Sequence, residues 1–208
     1  MREMKIKDRN PRQHEVQLIR VDGDDTILGY CEKGRCHARN GLLHRAFSVF
    51  IFNDEKKLLL QRRSKEKLLW PLYWSNSVCS HPRKGENYET AAARRVKEEL
   101  GIECGLHFLF KFQYQVNFED IGAEHELCAV FIGRTNSPVF INKEEIAEIK
   151  YLSIDAVEEE LKVNSAQYSP WFKIEWGRIR KGYLPNIDGL FDASPSSPPR
   201  PAGSNRPD

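Results

Sequence analysis

The sequence predicts one α/β domain, and three stretches carry that prediction. Residues 46–52 form a continuous apolar run, as expected of a buried strand. Residues 108–118 alternate apolar and polar side chains, which is the pattern of a half-buried strand. Residues 88–101 repeat an apolar side chain at every fourth position and end at a glycine, which predicts an amphipathic helix. A chain of 208 residues is long enough for one substantial core.

The composition excludes several classes of protein. Hydrophobic residues make up 40% and charged residues 30% of the chain, unlike a disordered or membrane protein. The net charge is only +2, so we expect neither nucleic acid nor a membrane surface as a partner. Residues 1–14 contain no apolar run that would serve as a signal peptide or an anchor. The five cysteines form no C-x-x-C pair and suit free thiols, so we expect a cytoplasmic protein.

Shorter patterns predict the remaining elements. We expect strands at residues 14–20 (at the sheet edge), 58–62, 124–132 and 145–152, and helices at 153–161 and from Ser169-Pro170 onward, the latter being the last of the chain. Residues 33–41 predict a loop or a short helix. Residues 74–82, which hold Cys79 and His81, predict a loop.

A charged motif lies on the predicted helix and just before it. Its residues are, in order, Glu86, Arg94, Val96, Glu98, Glu99, Gly101 and Ile102. Their order and spacing resemble the Nudix box, G-x5-E-x7-R-E-U-x-E-E-x-G-U, with two departures. Ser80 stands where the box has its first Gly, and Arg95 stands where it has the Glu after the Arg. In Nudix hydrolases that Glu helps to hold the metal that activates water, so Arg95 indicates anion binding rather than ordinary hydrolysis.

The segment before the motif narrows the resemblance. With residues 76–82 (Asn-Ser-Val-Cys-Ser-His-Pro), the pattern is similar to the type 1 isopentenyl-diphosphate isomerases, which have a Nudix fold and do not hydrolyse. The similarity covers roughly residues 14 to 180 and implies an α/β sandwich, a mixed β-sheet flanked by helices. We divide the chain into an N-terminal extension that packs on the core, a Nudix-fold catalytic domain and a Pro/Ser-rich disordered tail: residues 1–30, 31–190 and 191–208.

The resemblance implies an enzyme of isoprenoid biosynthesis that interconverts isopentenyl diphosphate and dimethylallyl diphosphate. An unactivated alkene is a poor base, so one acid must protonate it and a second group must remove a proton from the adjacent carbon. The family positions put Cys79 on one face of the substrate and Glu126 on the other, with Tyr114 assisting Glu126. For the forward direction we assign proton delivery to Glu126 and proton removal to Cys79, although the sequence leaves the two roles open. Trp171 would stabilise the tertiary carbocation through its ring; without the resemblance it would be a core tryptophan.

The resemblance also implies a metal site of three histidines and two glutamates: His37, His44, His81, Glu124 and Glu126. Taken singly, each histidine would be a structural or surface residue. The two glutamates share one face of their predicted strand, where their charges repel unless a cation lies between them. An exposed strand end is the alternative. Nitrogen and oxygen ligands suit Mn²⁺ or Mg²⁺, which we favour, and also Zn²⁺.

The diphosphate needs cations, and the family positions supply Lys33, Arg63, Lys67 and Arg95. Glu99 would hold an Mg²⁺ ion that bridges the diphosphate oxygens. The alternative for each basic residue is ordinary surface charge. Arg95 and Glu99 are also spaced to form a simple salt bridge along the helix.

Two other functions stay open from the sequence. A Nudix hydrolase of a diphosphate would need neither Arg95 nor Cys79. A catalytically silent Nudix-fold binding module would have no use for Cys79, Tyr114, Glu126 and a complete metal set. We therefore expect an isomerase of a small molecule, as a monomer or a homodimer.

Overall fold

The computed structural model describes residues 16–192, in which nine strands form one mixed sheet. The strands are β1 Gln17–Val21, β2 Ile27–Glu32, β3 His44–Phe52, β4 Leu58–Arg63, β5 Trp74–Ser75, β6 Val78–Ser80, β7 Leu106–Phe118, β8 Gly122–Arg134 and β9 Ile146–Leu152. The helices are α1 Lys33–His37, α2 Tyr88–Leu100, α3 Ile154–Val163, α4 Pro170–Gly182 and α5 Leu184–Asp192. Residues 1–15 and 193–208 lie outside the described residues, and so do the start of the first predicted strand and most of the predicted tail.

Strand β3 is the centre of the sheet. Its whole length pairs in parallel with β8. Along its other edge it pairs antiparallel with β1, β6 and β4, while β7 forms a long antiparallel pair with β8. In this register His44 on β3 lies opposite Glu126 on β8, and Ser48 lies opposite Cys79 on β6. Residues that are far apart in the chain thus become neighbours on the sheet.

Helices cover both faces of the sheet. On one face Val49 shares a buried apolar cluster with Val96 of α2. On the other, the ring of Phe50 stacks on Phe172 and Trp176 of α4, at centroid distances of 6.0 and 6.4 Å. Alternate residues of β3 point to opposite faces, so a strand covered on both sides requires a continuous apolar run. The predicted α/β sandwich, with a mixed sheet flanked by helices, is confirmed.

The predicted helix at 88–101 is confirmed as α2. The side chain of Asn87 caps its first turn by accepting a hydrogen bond from the Thr90 N–H. Gly101 ends it with φ +69°, a backbone conformation that favours glycine. A Cβ at that position would also lie 3.1 Å from the Cβ of Phe140, which is closer than ordinary van der Waals contact. The helix predicted at 153–161 and the strands predicted at 46–52, 58–62, 108–118, 124–132 and 145–152 are also present, with shifted ends.

Three predictions of secondary structure were wrong. The predicted loop at 74–82 contains β5 and β6, so Cys79 lies on a strand; strands of two and three residues are too short to show a period. The first strand, β1, is not at the sheet edge, because it lies between β2 and β3. Helix α4 is not the last helix, since α5 follows it, with Pro185 in its first turn, where a missing N–H breaks no helical hydrogen bond.

Candidate active site

A cavity of about 770 Å³, a size that suits a small molecule, brings together most of the predicted site residues. Those that line it are Lys33, His37, Arg63, Lys67, Cys79, His81, Arg95, Tyr114, Glu124, Glu126 and Trp171. His44 and Glu99 do not line it. They are buried behind its wall, with 0% and 1% of their surface exposed.

Three histidines and two glutamates, His37, His44, His81, Glu124 and Glu126, form what we call the His/Glu cluster. Their donor atoms all lie within 4.8 Å of one another. The sheet register produces this arrangement: alternation along β8 directs both glutamates to one face, and the parallel pairing of β3 and β8 puts His44 opposite Glu126. Helix α1 adds His37 from the side. The three imidazole rings meet at centroid distances of 4.9 to 5.0 Å.

Backbone carbonyls set the orientation of two of these rings. The Nδ1 atoms of His37 and His44 each lie 2.7 Å from a carbonyl oxygen, of Lys33 and Leu42 respectively. A carbonyl only accepts, so each Nδ1 carries the proton and each Nε2 presents a lone pair to the cluster. Burial, followed by the nearby His37, lowers the pKa of His44 to about 3, which keeps its ring neutral.

The donor set fits a divalent metal ion. The buried Nε2 of His44 and Oε2 of Glu124 have no hydrogen-bond partner, and such orphaned atoms are rare inside proteins. Glu124 Oε2 lies 2.9 Å from His37 Nε2, and Glu126 Oε1 lies 2.8 Å from His81 Nε2. Neutral imidazole nitrogens and carboxylate oxygens are ligands for a divalent cation such as manganese, magnesium or zinc.

The two predicted acid–base residues face the same cavity. Tyr114 donates a hydrogen bond of 2.5 Å to Oε2 of Glu126. Burial, then the neighbouring Glu124, raises the pKa of the Glu126 carboxyl well above its usual range. Burial raises the pKa of the Cys79 thiol to about 11, and the positive charge of Arg63 opposes the rise. Burial therefore favours the protonated form of both groups.

Arg63 is more constrained than a free surface cation. Its Nε donates to the carbonyl of Trp70 at 3.0 Å, and its Nη2 donates to that of Leu69 at 2.8 Å. Its Nη1 points to the Cys79 sulfur at 3.6 Å, and its guanidinium lies 5.0 Å from the ring centroid of Trp171. Nη1 and the second N–H of Nη2 are left to contact a bound molecule.

Trp171 is fixed in the first turn of α4. Its Nε1 donates to Ser75 Oγ at 3.0 Å, and Trp70 packs edge-on against its ring at 5.2 Å. Only 2% of its surface is exposed, yet it lines the cavity. The indole therefore presents a fixed wall to whatever the cavity holds.

Three basic residues of the same cavity, Lys33, Lys67 and Arg95, form what we call the cation cluster. Burial, then the charge of Lys67, lowers the pKa of Lys33 to about 8, as expected where positive charges crowd together. Arg95 contacts Oε1 of Glu99 through Nε at 3.0 Å and through Nη2 at 2.5 Å, and Gln61 donates to the other oxygen of Glu99 at 3.4 Å. Both oxygens of Glu99 thus already accept hydrogen bonds.

Sequence reasoning gave no role to four charged residues of the cavity, and Glu145 is the one with the closest contacts to the cation cluster. Glu145 lines the cavity and forms ion pairs with both Lys67 and Arg95. It lies just before β9, where no motif or period marks it. Lys65, Glu66 and Glu144 also line the cavity, and the only signal for Lys65 and Glu66 was their place in a basic loop. Nothing in the sequence pointed to Glu144 or Glu145.

Comparisons with known proteins agree with this geometry. The sequence matches the NUDIX domain family over residues 42–172. It is 41% identical over 172 residues to the isopentenyl-diphosphate Delta-isomerase 1 of Photorhabdus laumondii, covering 82% of this chain and 98% of that protein. The chain belongs to the isopentenyl-diphosphate Delta-isomerase family of NUDIX-domain proteins. The resemblance found in the sequence is thus confirmed.

Further members of the isopentenyl-diphosphate Delta-isomerase family match over most of their length. The protein of Pectobacterium atrosepticum is 38% identical, over 79% of this chain and 91% of its own. That of Gibberella zeae is 33% identical, over 86% and 79%. A solved structure from Deinococcus radiodurans has a TM-score of 0.64 at 22% identity, over 80% of this chain and 99% of its own, and shows the shared fold. Within residues 16–192, every helix is too short or too polar to cross a membrane.

Proposed function

We propose that this protein interconverts isopentenyl diphosphate and dimethylallyl diphosphate by protonation and deprotonation through a tertiary carbocation. The observation that carries this function is one cavity that is lined by Cys79, by the cation cluster and by members of the His/Glu cluster, Glu126 among them. The isopentenyl-diphosphate Delta-isomerases to which the chain is 33 to 41% identical support the same activity.

The proton chemistry falls to Cys79 and Glu126. In the forward direction Glu126 delivers a proton to the terminal CH₂ carbon of the alkene, which becomes a methyl group and leaves a cation on the tertiary carbon. Cys79, as the thiolate that the neighbouring Arg63 favours, then removes a proton from the adjacent carbon and becomes a thiol, and the electron pair of that C–H bond forms the new double bond. Tyr114 holds the glutamate oxygen in place through its short hydrogen bond.

The His/Glu cluster would hold Mn²⁺, Mg²⁺ or Zn²⁺, of which we favour the first two. A bound divalent cation would stabilise the charged form of Glu126 and so tune its acidity. The orphaned Nε2 of His44 and the partnerless oxygen of Glu124 support this assignment.

The carbocation has to be kept from water. Trp171, held by its hydrogen bond to Ser75 and almost fully buried, offers a ring face that attracts positive charge by roughly 0.5 to 2 kcal/mol and forms no hydrogen bond with water. Leu69 adds an apolar wall to the same cavity. A hydrophobic alkenyl group suits the wall formed by Trp171 and Leu69, whereas the diphosphate suits the cation cluster.

The diphosphate end is assigned to Lys33, Lys67 and Arg95, with Arg63 reaching it through Nη1. Glu99 would hold the bridging Mg²⁺ ion through the oxygen lone pairs that its hydrogen bonds with Arg95 and Gln61 leave free. We also propose a cytoplasmic location, which the five free cysteines support.

Proton NMR of isopentenyl diphosphate in D₂O, with Mg²⁺ and Mn²⁺ present, tests the function. We expect dimethylallyl diphosphate with deuterium in a methyl group. Cys79→Ala should reduce the rate by about 10²- to 10⁴-fold. Cys104→Ala is the matched control, because this thiol does not line the cavity, and it should keep the wild-type rate. Release of phosphate would instead identify a hydrolase, and an unchanged substrate would favour a binding module.

A further inference from the structure

We propose that Glu145 is a stand-in anion: its carboxylate neutralises the cation cluster until the diphosphate group of the substrate takes its place on Lys67 and Arg95. Like the proposed function on which it rests, this role requires a substrate that carries a diphosphate. Glu145 would then set how tightly the empty site binds that group.

The contacts of Glu145 are those that a diphosphate would need. One carboxylate oxygen lies 3.0 Å from Arg95 Nη2, and the other is hydrogen bonded to Lys67 Nζ. Glu145 lines the same cavity as both cations, and about 20% of its side chain is exposed. A carboxylate bridging two cations in a cavity occupies the position of one end of a bound anion.

The other partners of Arg95 cannot yield in the same way. Its Nε and Nη2 hold Glu99, which is 1% exposed, and its Nη1 holds Glu98 at 2.9 Å. Both carboxylates lie on the same helix as Arg95, at three and four positions along it. Glu145 comes from a different segment, so its contact is the one that a ligand in the cavity can replace without disturbing α2.

Electrostatics requires the exchange. Lys33, Lys67 and Arg95 crowd together, which costs free energy unless an anion lies among them. Glu145 supplies that anion in the ligand-free protein. A diphosphate brings several negative charges to the same atoms, so a carboxylate that stayed in place would be repelled.

The backbone allows the side chain to move alone. The carbonyl of Glu145 accepts a hydrogen bond from the Ser64 N–H at 2.9 Å, and its own N–H donates to the Asn142 carbonyl at 3.0 Å. With both backbone groups held, the carboxylate can leave Lys67 and Arg95 by rotating about its side-chain bonds. Exchange therefore needs no rearrangement of the fold.

Calorimetric titration with inorganic diphosphate, without Mg²⁺, tests this role. A site blocked by its own carboxylate most of the time binds more weakly by the fraction that is open. We therefore expect Glu145→Gln to lower the Kd for diphosphate by roughly tenfold. Glu89→Gln is the matched control, since it removes the same charge from an exposed side chain that does not line the cavity and has no ion pair within residues 16–192. It should bind within about twofold of wild type.

A second variant guards against misfolding. Glu145→Asp keeps the charge but shortens the side chain, and should give a Kd between those of wild type and Glu145→Gln, with all variants melting cooperatively. An equal or weaker affinity in Glu145→Gln overturns the role: a weaker one would mean that Glu145 positions the two cations for the ligand. Absence of diphosphate binding in both wild type and Glu145→Gln also overturns it. The isomerase activity is judged separately, by turnover in D₂O.

Discussion

The His/Glu cluster and the cation cluster belong to one cavity, but their side chains are held in place in opposite ways. At the His/Glu cluster, sheet register and backbone carbonyls fix the side chains, and buried donor atoms such as His44 Nε2 have no partner. At the cation cluster, long side chains reach into the cavity and are neutralised by carboxylates of the protein, Glu145 and Glu99 among them.

This difference predicts how each of the two clusters binds its ligand. The His/Glu cluster is preorganised. The Nε2 atom of His44, for example, has no hydrogen bond that a cation would have to break in order to bind. The cation cluster is satisfied without a ligand and has to break an ion pair before it binds an anion. Loss of one residue should therefore reduce turnover more in the His/Glu cluster than in the cation cluster.

The largest effect is expected for His44→Ala. Outer-shell partners of metal ligands already contribute 10- to 100-fold, so loss of an inner ligand should reduce turnover on the order of a thousandfold or more. The bound divalent metal should also be lost on dialysis. Metal content by atomic emission, together with turnover, measures both.

His125→Ala is the control for that variant. His125 lies on β8 between Glu124 and Glu126, but strand alternation directs it to the opposite face, where it lies 3.3 Å from Gln113. This variant should keep its metal and its activity. If His44→Ala retained a full equivalent of metal, the His/Glu cluster would not be the metal site.

A smaller loss of activity is expected in the cation cluster, for Arg95→Gln. Lys33 and Lys67 remain to hold the diphosphate, so kcat/KM should fall by about 10- to 100-fold, mainly through a higher KM. Steady-state kinetics separates the two parameters. Lys97→Gln on the same helix is the control, because Lys97 is exposed and pairs only with Glu103 among the described residues. A fall in kcat with KM unchanged would place Arg95 in the chemical step instead.

The same contrast explains what the sequence could predict. Strand alternation at 124–126 and the apolar run that begins after His44 were visible as patterns, so the sheet that supports the His/Glu cluster could be anticipated. The resemblance then supplied the three histidines. Bringing His37, His81 and the glutamates together depends on the pairing of β3 with β6 and β8, which no local pattern specifies.

The resemblance supplied all three residues of the cation cluster, but not the carboxylate that neutralises them. Arg95 stood out because it departs from the Nudix box. Glu145 could not be found, because an ion-pair partner is defined by proximity in the folded chain and carries no periodic signal. The same limit hid the short strands β5 and β6, whose residues pair through contacts with β4 and β3.

Glu175, a buried carboxyl outside both clusters and without an ion pair within residues 16–192, sharpens the comparison. Glu175 of α4 is 0% exposed, and its Oε2 has no partner; Oε1 lies 3.5 Å from the Cys128 sulfur. Burial raises the pKa of Glu175 from 4.5 to about 8, against hydrogen bonds from Ser48 and Cys128. Its folded-state pKa is thus above the unfolded value, so the unfolded chain releases this proton first as pH rises.

The smallest effect, on stability alone, is therefore expected for Glu175→Gln. Wild type loses stability from this group as pH rises from about 4.5 to about 8, and no further loss follows above that. Glutamine does not titrate, so the variant should gain on wild type across this window, by on the order of 1 to 3 kcal/mol at pH 8. Urea unfolding at pH 5 and pH 8 measures the gap, with the exposed Glu89→Gln as the control. An equal gap at both pH values would show that Glu175 is ionised in the folded protein, so that burial without a cation does not hold its proton.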